Sequence, residues 1–158
     1  MGKILKIAIL CFAVLSLWYS CGDDGCVESI VGYGVGTLKK NTGSENSMPS
    51  SISVYGIGQQ KDSAMIKGLS PSSTIDLLLN PSDTVTDFKV LFVFSQDTII
   101  DTLRFHYENK DFFINIDCGC TVYHFVDSIE HTSNFIKTIE IINPEITNVK
   151  TNNFTIGY

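Results

Sequence analysis

The side chains able to do chemistry in this sequence are few and unevenly placed. Cys118 and Cys120 stand two apart, His124 follows, and Cys26 lies far upstream. Thiolates and an imidazole suit zinc, but the paired Cys-x-x-Cys of structural zinc sites is missing. A Cys-x-Cys redox pair would need positive charge or a helix N-terminus to lower a thiol, and no lysine or arginine is close in sequence. His106, His124 and His131 occur alongside many serines, yet no Gly-x-Ser-x-Gly elbow exists. His106 and His124 fall on expected strands and read as surface or half-buried residues. Asp76, Asp83, Asp87, Asp97 and Asp101 gather around turns without the Asp-x-Asp-x-Asp-Gly run of a calcium loop. The residues therefore point away from an enzyme, a bound metal or a cofactor. A thiol or metal site at Cys118 and Cys120 stays as an alternative.

The N-terminus carries a clearer signal. Lys3 and Lys6 precede an uncharged stretch from Ile7 to Ser20, and Ser20-Cys21 supplies a small residue before a thiol. A membrane-spanning helix needs roughly 20 apolar residues, so this run reads as a signal peptide over residues 1–20, with lipid on Cys21. The bulky Leu17-Trp18-Tyr19 departs from the usual small-residue lipobox, and an ordinary secretory signal cut near Ser20 is the alternative. Gly22-Asp23-Asp24 resembles the surface-export signal of Bacteroidota-type lipoproteins, or serves as a solvated tether. Residues 21–31 form that tether and 32–158 one domain. The expected location is the outer membrane, on its periplasmic face or at the cell surface.

Net charge is −6, and removal of Lys3 and Lys6 with the leader makes the remainder more acidic. Nucleic-acid binding, which needs a basic stripe, is excluded on that ground. The membrane is met through the lipid anchor instead. In an exported chain thiols become disulfides. With Cys11 in the leader and Cys21 acylated, Cys26 and Cys118 are the favoured pair, and Cys120 is left free or buried. Such a bridge closes a long loop, for which chain entropy gives about 4–5 kcal/mol.

The triplet Asp-Ser/Thr-apolar occurs five times, with its hydroxyls at Ser63, Thr84, Thr98, Thr102 and Ser128. It resembles the O-glycosylation acceptor of exported Bacteroidota proteins. The plainer explanation is that Asp-Thr initiates turns before strands. Thr102 lies opposite the Leu103 and Phe105 side and is expected to be exposed. A sugar-binding platform would have to use Tyr33, Tyr55, Tyr107, Tyr123 or Tyr158, because Trp18 leaves with the leader.

Aromatic and β-branched residues dominate, and no window holds a helical period. Gly32 to Gly36 suggests an irregular edge strand. Ile52–Ile57, Ala64–Leu69 and Thr74–Leu79 follow, the last placing Ile75, Leu77 and Leu79 on one face before an Asn-Pro-Ser-Asp turn. Phe88–Phe94 is apolar on both faces and is placed centrally. Ile99–Glu108 alternates, with Ile99, Leu103, Phe105 and Tyr107 sharing a face. Separate strands are expected at Phe112–Ile116 and Thr121–Val126, then a polar connection over 127–134 with room for a helical turn. Phe135–Ile142 and Phe154–Tyr158 complete the set. Short strands with turn signals between them predict a single antiparallel β-sandwich, immunoglobulin-like or a related Greek key, of about eight or nine strands.

The pattern resembles an uncharacterised family of Bacteroidota lipoproteins, a domain of unknown function. The likeness rests on Cys21 and Cys26, on Leu77-Leu78-Leu79-Asn80, on Asp97 to Tyr107, on Cys118-Gly119 and on Ile139 to Pro144. Leu78 stands where that family usually has proline, and Cys120 has no counterpart. The resemblance implies a compact secreted lipoprotein and no assigned activity. A non-catalytic binding or structural role in the envelope is expected, with a protein or glycan partner. A carbohydrate-binding component of a glycan-capture system is the alternative.

Overall fold

In the computed structural model the described residues are 31–158, excepting 45, 59–63, 72 and 73. The leader, Cys21, Cys26 and Ser63 lie outside them. Among the described residues every regular element is a strand: β1 (Gly34–Lys39), β2 (Ser51–Gly56), β3 (Ala64–Leu69), β4 (Ile75–Leu77), β5 (Val85–Val93), β6 (Thr98–Asn115), β7 (Gly119–His131), β8 (Thr138–Ile141), β9 (Glu145–Ile146) and β10 (Asn152–Gly157). They form a four-stranded sheet in the order β4-β1-β10-β8 and a six-stranded sheet in the order β3-β2-β5-β6-β7-β9. The fold is all-β and sandwich-like, as the spacing of turns and apolar runs implies.

The alternations place the core where they should. Ile75, Leu77 and Leu79 are buried, as are Phe88, Val90 and Phe92 of β5 and Leu103, Phe105 and Tyr107 of β6. Aromatic rings then join the sheets. Phe105 meets Phe88 edge-on at 5.6 Å and Phe154 of the other sheet at 5.4 Å. Phe135 bridges a second time, 4.5 Å from Phe92 and stacked 5.0 Å from Tyr158. Such contacts add about 0.5–1.5 kcal/mol each beyond the area they bury.

Five expectations are corrected. The segment from Gly32 to Gly36 is no edge strand, since β1 lies between β4 and β10. Its pairing with β10 is parallel, so the sandwich is not wholly antiparallel. The runs around Phe112 and Thr121 are not separate short strands but the far ends of the long β6 and β7, which pair from Leu103↔His131 out to Asn115↔Gly119. The polar stretch after Val126 stays in β7 to His131, with no helical turn. The strand order also differs from the two sheets of the immunoglobulin fold.

The β1–β10 pair shows how one residue mends a fault in a ladder. Val35 faces Asn152 and Gly36 faces Phe154, so Asn153 is the extra residue of a bulge. A bulge leaves backbone groups unpaired. The buried Asn153 side chain takes up this deficit: Oδ1 accepts from Val35 N–H at 3.0 Å, and Nδ2 donates to Asn143 O at 3.0 Å and Glu145 O at 2.9 Å. Gly36 has to be glycine, because a Cβ there would lie 2.3 Å from the Phe154 ring.

Asp101 occupies the inward position between Ile99 and Leu103 and is buried. Its Oδ1 accepts from Thr132 Oγ1 at 2.6 Å and Asn134 N–H at 2.9 Å, and its Oδ2 accepts from Phe135 N–H at 2.8 Å and Ile136 N–H at 2.9 Å. These residues carry the chain from β7 in one sheet to β8 in the other. Asp101→Asn keeps the shape but turns an amide donor toward backbone N–H groups. It is expected to destabilise the fold by about 3 kcal/mol or more. Urea unfolding of the variant checks this, and a loss below about 1 kcal/mol contradicts it.

Candidate functional site

The chain leaving β4 runs Leu78-Leu79-Asn80-Pro81 across one end of the sandwich. Leu79 turns inward and is buried, while Leu78 is 42% exposed. An Asx turn follows, with Ser82 N–H on Asn80 Oδ1 at 3.0 Å and Thr84 N–H on Asp83 Oδ1 at 2.8 Å. Short polar side chains close such turns through their own backbone, and that fixes where the ridge ends.

The turn is held from beneath by a closed ring of hydrogen bonds. Asn80 N–H donates to Thr86 Oγ1 at 3.1 Å, and the Tyr107 hydroxyl donates to Asn80 O at 2.9 Å. The Thr86–Tyr107 contact of 2.6 Å must then run from the threonine hydroxyl to the tyrosine oxygen. Each member donates once and accepts once, so the bonds reinforce one another. Burial raises the tyrosine hydroxyl above its ordinary pKa, against the lowering effect of Thr86 and Asn80.

A second clamp comes from Asn109. Its Nδ2 gives both protons away, to Pro81 O at 3.0 Å and Asp83 O at 2.6 Å. Oδ1 is therefore left to accept from His124 Nδ1 at 2.6 Å, which assigns the imidazole proton to Nδ1. The ring packs at right angles to Tyr107, 5.2 Å away. His124 is buried rather than at the surface, and desolvation lowers its pKa.

The ridge separates two depressions. One, of about 490 Å³, is lined by Ile57, Met65, Leu78, Pro81, Asp87 and Phe88 among others. The other, of about 270 Å³, lies between Val31, Leu78, Pro81, Val122 and His124. Ile57, Met65, Leu78 and Val31 are all exposed. The surface they make is mostly apolar, meets at Leu78 and Pro81, and is built on a turn held by side-chain hydrogen bonds. Asp87 on the first rim is held in a two-pronged pair with Arg104, Nε to Oδ1 at 2.7 Å and Nη2 to Oδ2 at 2.9 Å. The hydrogen bond from Arg104 lowers the Asp87 carboxyl below its ordinary range.

The residues singled out by type are dispersed. Cys118 sits in the turn between β6 and β7 and is half-buried. Cys120 on β7 has a free, exposed thiol. His124 is committed to Asn109, His131 Nδ1 lies 2.9 Å from Thr132 O, and His106 Nε2 is 3.4 Å from Glu130. Among the described residues no three His, Cys, Asp or Glu side chains converge as metal ligands. Of the triplet hydroxyl residues, Thr84, Thr98 and Ser128 are exposed, whereas Thr102 is only half-exposed beside the buried Asp101. Asp83 and Asp97 each bind the N–H of the following threonine, as turn initiation requires. Tyr107 and Tyr158 are buried. Tyr33 and Tyr55 lie beneath Lys150 and Lys89, and Tyr123 stacks on Phe112. Thr86 and Asn109 went unnoticed in the sequence. The one available signal was an asparagine inside an otherwise strand-like run.

Residues 51–158 match a family of unknown function, DUF6452. No curated protein and no solved structure matches the chain.

Two outcomes test this framework. Asn109→Leu removes two bonds to the turn and strands the His124 N–H, and is expected to cost about 2–3 kcal/mol in urea unfolding. The buried His124 is kept neutral in the folded state, so the unfolded chain takes up its proton first. Stability should therefore fall as pH drops through about 6.5 and level off below the folded-state value. His124→Gln should flatten that slope between about pH 7.5 and 5. An unchanged slope would assign the pH dependence to other groups.

Proposed function

The chain belongs to the DUF6452 family of unknown function, and from that premise we propose a lipid-anchored accessory domain of the cell envelope that binds rather than catalyses. The anchor is Cys21, reached through the tether at residues 21–31, and residues 1–20 are the signal removed in export. The location is the outer membrane, on its periplasmic face or at the surface.

The observation that carries the binding role is the apolar surface across Leu78 and Pro81. Its backbone is fixed by two independent clamps while its side chains stay open to water. Exposed apolar area rimmed by polar groups marks a surface made for contact. A protein partner suits it better than a sugar, because the tyrosine faces that would stack on sugar rings are buried or covered. Cys118 lies in the β6–β7 turn, and a bridge from it to Cys26 would staple the tether there. Exposure supports glycosylation at Thr84, Thr98 and Ser128 and disfavours it at Thr102, whose neighbouring Asp101 is locked in the core.

The binding role is tested by the double variant Met65→Glu and Leu78→Glu in the anchored protein, solubilised gently from its own membranes and separated on a native gel. Wild type is expected to migrate as a larger complex and the variant as the single domain, with equal unfolding midpoints. Wild type migrating as the single domain overturns the reading. Intact mass spectrometry of the same material should show acyl mass on Cys21. An unacylated chain with residues 1–20 still attached would remove the anchor.

A further inference from the structure

The outward face of the six-stranded sheet carries a set of polar groups that the ridge does not use. Phe88, Leu103 and Phe105 are buried in the core, so Asp87 and Arg104 beside them in sequence point outward. The register lines up Asp87, Arg104 and Glu130 as one rung across β5, β6 and β7. Next to this rung β7 is bulged: His106 faces Ser128 and Tyr107 faces Val126, with Asp127 the extra residue. A bulge bends its strand. The outward face holds a depression of about 430 Å³, lined by Ile57, Asp87, Thr102, Arg104, Glu130 and His131 among others. Small-molecule sites span about 300–1,000 Å³. The depression adjoins the larger one beside Leu78 at Ile57 and Asp87.

The hydrogen-bonding capacity left over in this groove is of two kinds, side by side. The pair with Asp87 uses the Arg104 Nε–H and one proton of Nη2. Both protons of Nη1 and the second of Nη2 remain, as a donor edge fixed by the pair. Glu130, the next member of the rung, is 67% exposed at its side chain. Its Oε1 lies 3.4 Å from His106 Nε2, which has no hydrogen-bond partner among the described residues, so the carboxylate is left to accept. His131 Nδ1 donates to Thr132 O, and Nε2 of the neutral ring is then a further acceptor. Directly opposed residues on antiparallel strands stand about 4.5–5.5 Å apart at Cβ, so the donor edge and the carboxylate can reach one ligand together.

Charge selects the class of ligand. Asp87 already neutralises Arg104, and Glu130 adds a negative charge, so a phosphate or carboxylate meets repulsion. A cation answers Glu130 but sets its charge against the guanidinium and leaves the donor edge unfilled. A neutral molecule with adjacent hydroxyls satisfies both, one oxygen accepting from Arg104 while its neighbour donates to Glu130. Ile57 offers an apolar contact for ring C–H groups. We propose that this groove binds a neutral saccharide through a pair of adjacent ring hydroxyls held between Arg104 and Glu130. Recognition of this kind is polar and needs no tyrosine platform. It depends neither on the ridge nor on the lipid anchor.

The test is a titration of the full chain, labelled with nitrogen-15 and held in mild detergent, followed by NMR. The probes are the methyl glycosides of glucose, mannose and galactose, which differ in whether adjacent ring hydroxyls lie cis or trans, with inorganic phosphate in parallel. At least one glycoside is expected to shift the amides of Thr102, Arg104 and Glu130 and the Arg104 Nε–H, saturating at millimolar concentration, while phosphate shifts none of them. Glu130→Ala should weaken that binding about tenfold or more with an unchanged unfolding midpoint, because the side chain is exposed. Arg104→Lys keeps the charge but loses the fork and should weaken it similarly. Absence of a saturable shift with all three glycosides overturns the proposal, as does equal binding by Glu130→Ala. Shifts at these groups from phosphate in place of the glycosides would make the groove an anion site and overturn the ligand class.

Discussion

The buried carboxylate of Asp101 is the constraint on which the two-sheet arrangement rests. All four of its contacts require it to accept, three of them from backbone N–H groups on consecutive residues. A charge taken from water costs several kcal/mol unless its lone pairs are filled, and here they are filled by the stretch of chain that must change sheets. Thr132 extends the link: Oγ1 accepts from Thr102 N–H at 2.9 Å while donating to Asp101, and Asn134 Nδ2 reaches Ile100 O at 2.8 Å. One side chain thus settles where β7 ends and at what angle the crossover leaves.

The packing follows from that angle. Phe135, fixed by its amide on Asp101, inserts between Phe92 of one sheet and Tyr158 of the other. The next strand delivered is β8, which pairs with β10, and β10 carries the Asn153 bulge that joins β1. The Leu78 ridge is a consequence at the far end of the same framework. It is held by Tyr107 and Asn109, which continue β6 beyond Asp101 and so inherit its register.

Much of the core was legible. Ile75, Leu77 and Leu79 alternate cleanly, and the two-sided apolar run at Phe88 marked a strand within a sheet rather than at its edge. Asp101 was not legible, because a carboxylate in an inward slot reads as a break in the alternation. The signal was present in the skipped position between Ile99 and Leu103. The β6–β7 ribbon was misread for the converse reason. Phe112 and Ile116 carry the period of a buried strand, and composition does not reveal that both end up exposed. The parallel β1–β10 pair joins the two ends of the domain, a separation at which local pattern carries no pairing information. Of the proposed site, the Asn-Pro turn was readable. The clamps were not, since Thr86, Tyr107 and Asn109 meet only once the long register of β6 is set.

The structure is a two-sheet sandwich with exposed apolar side chains on the Leu78 ridge and at the end of the β6–β7 ribbon, both built on β6. Amide hydrogen exchange tests the organising role of Asp101 most directly. The N–H groups of Asn134, Phe135 and Ile136 lie outside any strand ladder, so ordinary loop amides there would exchange early. Protection of Phe135 and Ile136 equal to that of the β5–β6 ladder, lost only on global unfolding, is the expected result. Fast exchange at these amides while β5 and β6 remain protected would contradict it.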